Sequence, residues 1–132
     1  MTAGGESAEE GDLAEQEGRS LLSTVQRLPA GITIIRATGD LNRETSSQLY
    51  LLVAGELLQE PAQLVLELSN LTSADNAAVD ALVSASAVAG ESDISFCLVA
   101  SRASPVVATL AEAGLIDRFE VFPTVRAATG NR

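Results

Sequence analysis

The order of residues predicts an α/β fold, a single domain built on a mixed, mostly parallel β-sheet of four to five strands with helices packed against it. Three observations predict it. Residues 32–37, 64–68 and 94–99 are apolar, partly β-branched runs with little polar alternation, as strands covered on both faces are. Between them lie segments of helical period that begin near Asn42, Asp75 and Pro105 and end near Pro61, Gly90 and Gly114. Strand and helix therefore alternate, which makes successive strands parallel.

The first regular element is residues 21–28, short apolar stretches that meet the turn signal Pro29-Ala30-Gly31 and form a hairpin with the run from Ile32. Gly39-Asp40-Leu41-Asn42 ends the second strand, and Asn42 is the N-cap of a helix over 44–59 that places Leu49, Leu52, Val53, Leu57 and Leu58 near helical spacing. Pro61 stops it. After the strand at 64–68, residues 70–74 form a loop. Asp75 then caps a helix over 76–89, with Val79, Leu82, Val83 and Ser86 inward and a small outer face of Ala78, Ala81, Ser84, Ala85 and Ala87. Gly90 serves as its C′ residue. A third core strand at 94–99, a short helix over 105–113 closed by Gly114, a short strand at 119–122 and a last helical turn after Pro123-Thr124 complete the order.

Composition excludes more than it assigns. The chain has no Lys, no His, no Trp and one Cys, so a Ser-His-Asp or Cys-His pair, a Schiff base, a Walker lysine and an intrachain disulfide are all ruled out. The formal charge is −10 and is uneven: residues 1–18 hold six of the eighteen acids and no base. Residues 1–19 are accordingly expected to be an acidic disordered tail, with the domain over 20–132. Eight scattered Arg and few aromatics argue against nucleic acid. No apolar run approaches membrane-spanning length and no leader pattern opens the chain, so the expectation is a cytoplasmic protein without membrane insertion.

Asp40 and Asp75, the acids at strand-to-helix junctions, have three readings. They stabilise helix starts; or they form a phosphoacceptor pocket; or they make a glycosidase-like pair. The missing Lys counts against the second, and the missing aromatic surroundings against the third. Cys97 reads as core. Glu67, inside an apolar strand, either reaches solvent at the strand end or bonds a helix start. No metal site, cofactor or catalytic set follows from these residues, and the expectation is a non-enzyme.

Four segments in order carry a family resemblance. Gly39-Asp40-Leu41-Asn42-Arg43-Glu44-Thr45 is similar to the Gly-Glu-Leu-Asp-x-x-Thr signature of STAS domains. Residues 64–71 resemble that family's next strand. Thr72-Ser73-Ala74-Asp75-Asn76-Ala77-Ala78-Val79 falls where the family has Asp-Ser-Ser/Thr-Gly, and Ser104-Pro105-Val106 with Leu110 and Ala113-Gly114-Leu115 resembles its Pro-x-Val…Gly-Leu segment. The likeness covers residues 31–129. It implies a STAS-like fold and, in bacterial anti-sigma factor antagonists, capture of an anti-sigma factor, a serine kinase of ATPase fold, which frees a sigma factor and so regulates transcription. The family's switch is a serine directly after the loop Asp, phosphorylated by the partner.

Here that position is Asn76, which has no hydroxyl, followed by Ala77 and Ala78. The resemblance therefore implies a partner-binding and switch loop of Asp40, Asn42, Thr45, Ser73, Asp75, Asn76, Ala77 and Ala78, with phosphorylation lost at Asn76. Ser73, with Thr72 beside it, is the candidate substitute. The small face of the second helix fits a docking surface or a solvent-facing helix, and the resemblance, which implies partner docking beside the switch loop, favours docking. The alternative function is a STAS scaffold or regulatory subunit of a stress-sensing or lipid-transport complex; a small-ligand sensor comes third. The expected oligomeric state is a monomer or weak dimer.

Overall fold

Strand β1 (Leu21–Leu28) runs into a 3-10 turn at Pro29–Gly31 and returns antiparallel as β2 (Ile32–Leu41). The computed structural model describes residues 21–130, so the acidic segment expected at 1–19 lies outside the described residues. The turn needs left-handed backbone at Ala30 (φ 72°) and Gly31 (φ 78°), and a Cβ at Gly31 would also sit 3.3 Å from Ala62. Helix α1 (Arg43–Leu57) leads into β3 (Gln63–Ala74), α2 (Asn76–Glu91) into β4 (Ser95–Val99), α3 (Pro105–Glu112) into β5 (Val121–Phe122), and α4 (Val125–Ala128) follows. The five-stranded sheet has the order β1-β2-β3-β4-β5, antiparallel at the first pair and parallel thereafter. This is the mixed, mostly parallel architecture expected.

The sheet is covered unequally. On one face Ile35, Leu64, Leu66, Leu68 and Leu98 pack under α1, α2 and α3 through Leu49, Val53, Leu82 and Leu110. On the other, a smaller cluster of Ile32, Ile34, Val65, Cys97 and Val99 is covered by Ala128 of α4. β3 is buried on both faces, which explains its lack of alternation; each of its large apolar side chains contributes about 1.5–3 kcal/mol by leaving water. Arg27 of β1 donates two hydrogen bonds to the Glu56 carboxylate at the end of α1, at 3.1 and 2.7 Å. Glu67 is half-buried at a position that pairs with Arg36 of β2, rather than bonded to a helix start.

Several expected boundaries move. β2 does not end before Gly39, and residues 70–74 are not a loop. Gly39, Asp40 and Leu41 continue the parallel ladder against Leu71, Ser73 and Ala74, across register shifts between Arg36 and Thr38 and between Gly39 and Asp40. Gly39 takes φ 119° beside the second shift, which is why a glycine there bends a strand instead of stopping it. α1 ends at Leu57, leaving Leu58 81% exposed rather than on the apolar face. Gly90 lies inside α2, and the chain reverses beyond the helix at Asp93 (φ 58°). The small residues of α2 also divide differently: Ala78, Ala85 and Ala89 are buried against the sheet, and Ala81, Ser84 and Ala87 form the outer side.

Candidate functional site

The loops after β2 and β3 meet at the carboxyl end of the sheet, where ligands and partners of parallel sheets gather. Asn42 ends its strand extended and caps α1. Its side chain accepts from the Glu44 and Thr45 amides at 3.0 and 3.1 Å, while Thr45 Oγ1 accepts from the Asn42 amide at 2.9 Å, a complete capping box. The same Thr45 hydroxyl donates to the Asp40 carbonyl at 2.7 Å. Thr45 is 2% exposed, so it positions the loop and has no surface for a partner, a correction to its expected contact role.

Asp40 does not cap a helix. Its Oδ1 accepts hydrogen bonds from Thr72 Oγ1 at 2.6 Å and Ser73 Oγ at 2.8 Å, both on β3. Those two donors, Thr72 first and then Ser73, hold its carboxyl below the usual aspartate range against a slight opposing desolvation. Asp40 is thus an anion at neutral pH that fastens the end of β2 to the end of β3. Among the described residues no arginine pairs with it, and the ion pair there is Arg27–Glu56. Among the described residues a phosphoacceptor or acid/base pair with Asp75 finds no paired cation and no second carboxylate bonded to Asp40.

Asp75 does what the helix-start reading expects. Its amide donates to the Leu41 carbonyl at 3.1 Å, and its carboxylate accepts from the Ala77 amide at 2.9 Å, capping α2. Asn76 is the first residue of the helix and is exposed, and Ala77 is half-exposed. Ala78 is fully buried, so it packs α2 on the core and is removed from the expected partner-binding set. A residue without an expected role supports the loop from the far side: Thr109 Oγ1 of α3 lies 2.8 Å from the Ala74 carbonyl and 2.9 Å from the Pro105 carbonyl. Its signal in the sequence is the four-residue spacing after Pro105, where a Thr hydroxyl reaches back to a helical carbonyl.

Beside the loop, α1 and α2 leave a shallow groove of about 610 Å³ between Arg43, Ser46 and Tyr50 on one wall and Ala77, Asp80 and Ala81 on the other. Ser46 is buried, and among the described residues its Oγ is the buried side-chain oxygen without a hydrogen-bond partner. Sequence periodicity did not find this groove, because it depends on how the two helices sit side by side. Among the described residues no three His, Cys, Asp or Glu side chains gather to hold a metal ion, and no helix is long and apolar enough to cross a membrane.

The family model described as the STAS domain matches residues 24–128. The fold is similar to that of an anti-sigma factor antagonist from Mycobacterium paratuberculosis, with 20% identity, a TM-score of 0.75 and coverage of 84% of this chain and 92% of that one. It is also similar to the anti-sigma factor antagonist SpoIIAA in its unphosphorylated form, with 14% identity, a TM-score of 0.68 and coverage of 82% and 93%. The phosphorylated form of SpoIIAA, a Bacillus cell fate determinant, gives 13% identity, a TM-score of 0.64 and coverage of 83% and 97%. At such identities these likenesses establish the shared fold. No curated protein sequence matches.

Proposed function

The chain belongs to the STAS domain family, and from that premise we propose that it is an anti-sigma factor antagonist, a cytoplasmic, non-enzymatic binding protein. It captures a serine-kinase-type anti-sigma factor and frees the sigma factor that the kinase holds. The observation that carries the reading is the exposed start of α2. Asp75 caps the helix that Asn76 and Ala77 open, directly after a strand end fastened to β2 through Asp40, Thr72 and Ser73, and to α3 through Thr109. The fold shared with two anti-sigma factor antagonists supports the same reading.

Asn76 makes the antagonist constitutive at that position. A phosphoserine there would add about two negative charges to the docking surface while the helix dipole tolerated it. An amide side chain accepts no phosphoryl group, so the complex persists in ATP as it does in ADP. Ser73 is the substitute acceptor to be tested. Its hydroxyl already donates to the Asp40 carboxylate, so a phosphoryl group there would set two anions side by side and release the loop.

The test is calorimetric titration of the purified protein with the anti-sigma kinases of its host, in ADP and in ATP, followed by mass spectrometry of the mixture. The expected result is one tight partner with the same affinity in either nucleotide and no phosphate at residue 76. Binding to none of the kinases would sink the antagonist reading, and stoichiometric phosphate on Ser73 would sink the constitutive part alone.

A further inference from the structure

The proposed function makes no use of the outer strand of the sheet. β1 pairs with β2 along eight consecutive residues without a register shift, and among the described residues nothing pairs with its other edge. Among the described residues that edge therefore presents unpaired amide and carbonyl groups, a template on which a further strand adds. Proteins blunt such edges with Lys, Pro or a bulge. β1, Leu21–Leu28, has none of these, and its one charged side chain, Arg27, is turned onto Glu56. Leu22, 71% exposed, stands on the thinly covered face of the sheet.

The strand is self-complementary. Laid antiparallel against a second copy about a two-fold axis at Val25, it sets Val25 against Val25, and Leu22 of each copy against Leu28 of the other. Leu22 and Leu28 are an even number of residues apart and so share a face, where Leu28 is already half-buried. Ser23 meets Arg27, and no like charges oppose. A β-branched pair at the axis with apolar pairs either side is the composition that stabilises an antiparallel ladder.

We propose that β1 is a self-association strand, through which two copies of this chain join edge to edge and merge their sheets into one isologous dimer. Charge sets the strength of that contact. Residues 1–18, with six acids and no base, lie ahead of the strand, separated from it by Arg19 and Ser20, and the chain carries −10 in all. Two copies therefore repel at low ionic strength, and salt, by screening that repulsion, tightens the dimer.

Analytical ultracentrifugation of the 132-residue chain at low and high salt, over a concentration series, tests this. The expected result is a monomer–dimer equilibrium whose dissociation constant falls by about tenfold as salt is raised through the range that shortens the screening length. Leu22→Lys, at an exposed site, sets a charge against each Leu28 and is expected to leave the chain monomeric with an unchanged circular dichroism spectrum. A monomer at every concentration and salt overturns the proposal. So does a dimer that Leu22→Lys leaves intact, since it uses another surface.

Discussion

Replacing Thr45 by Val removes one hydroxyl and nothing else of consequence to shape, and that hydroxyl makes two bonds at the hinge between β2 and α1. It donates to the Asp40 carbonyl at 2.7 Å and accepts from the Asn42 amide at 2.9 Å, at a site 2% exposed. Each bond has a net worth of about 0.5–1.5 kcal/mol, so the substitution is expected to cost roughly 1–3 kcal/mol. Urea unfolding followed by circular dichroism reads this as a fall in midpoint with an unchanged slope, because the surface exposed on unfolding is the same. Thr45→Ser removes the methyl group and keeps the hydroxyl, so it is expected to retain both bonds and to lose less than Thr45→Val. Asn42→Ala removes the other half of the capping box and is expected to cost about 1 kcal/mol alone. The two substitutions together should cost less than their sum, since each already breaks the reciprocal pair. A Thr45→Val loss below about 0.5 kcal/mol, the level of an ordinary surface change, would refute the view that this hydroxyl holds the loop.

Further outcomes follow from other sites. Leu66→Ala, fully buried at the centre of β3, is expected to lose about 2–5 kcal/mol in the same urea assay. Glu60 adopts φ 58° just beyond α1, so Glu60→Gly is expected to raise the thermal midpoint, with a gain of up to about 1 kcal/mol. Burial pushes the Cys97 thiol up to about 11 from 9.0, with Gln63 opposing and Glu120 adding. The unfolded chain thus releases this proton first, so the Cys97 contribution is constant below pH 9.0 and is lost as pH climbs towards about 11. Comparing alkaline unfolding of Cys97→Ala with the parent chain checks it: the parent should lose stability more steeply. On the proposed function, Asn76→Ser places a hydroxyl at the exposed start of α2 and is expected to make binding to an anti-sigma kinase nucleotide-dependent, with phosphate found at residue 76 by mass spectrometry.

The parts of the fold that local chemistry decides were legible from the residues. Asn42 and Asp75 announce their helices because short polar side chains satisfy free amides at a helix start, and both do so. Strands with no alternation had to lie inside a parallel sheet, and β3 does. What depends on pairing across the chain was not legible. Residues 70–74 look like a loop taken alone, since Ser, Asn and Thr favour turns. They stay extended because Gly39, Asp40 and Leu41 offer them a ladder thirty residues away in sequence. The same long range explains Asp40, which resembled a helix-start acid until Thr72 and Ser73 were brought to it. The alanines of α2 were misdivided for a related reason: alanine is neutral in pattern, and only the sheet beneath decides which ones are covered.

Those buried alanines have a consequence for recognition. Ala78, Ala85 and Ala89 seat α2 close to the strands on methyl groups that have no rotamers, and Val79 and Leu82, buried beside them, fill the rest of the contact. The exposed turn at Asn76 is therefore held to one height above the sheet before any partner arrives. In the docking proposed above, a helix start seated in this way would have little further freedom to surrender on binding.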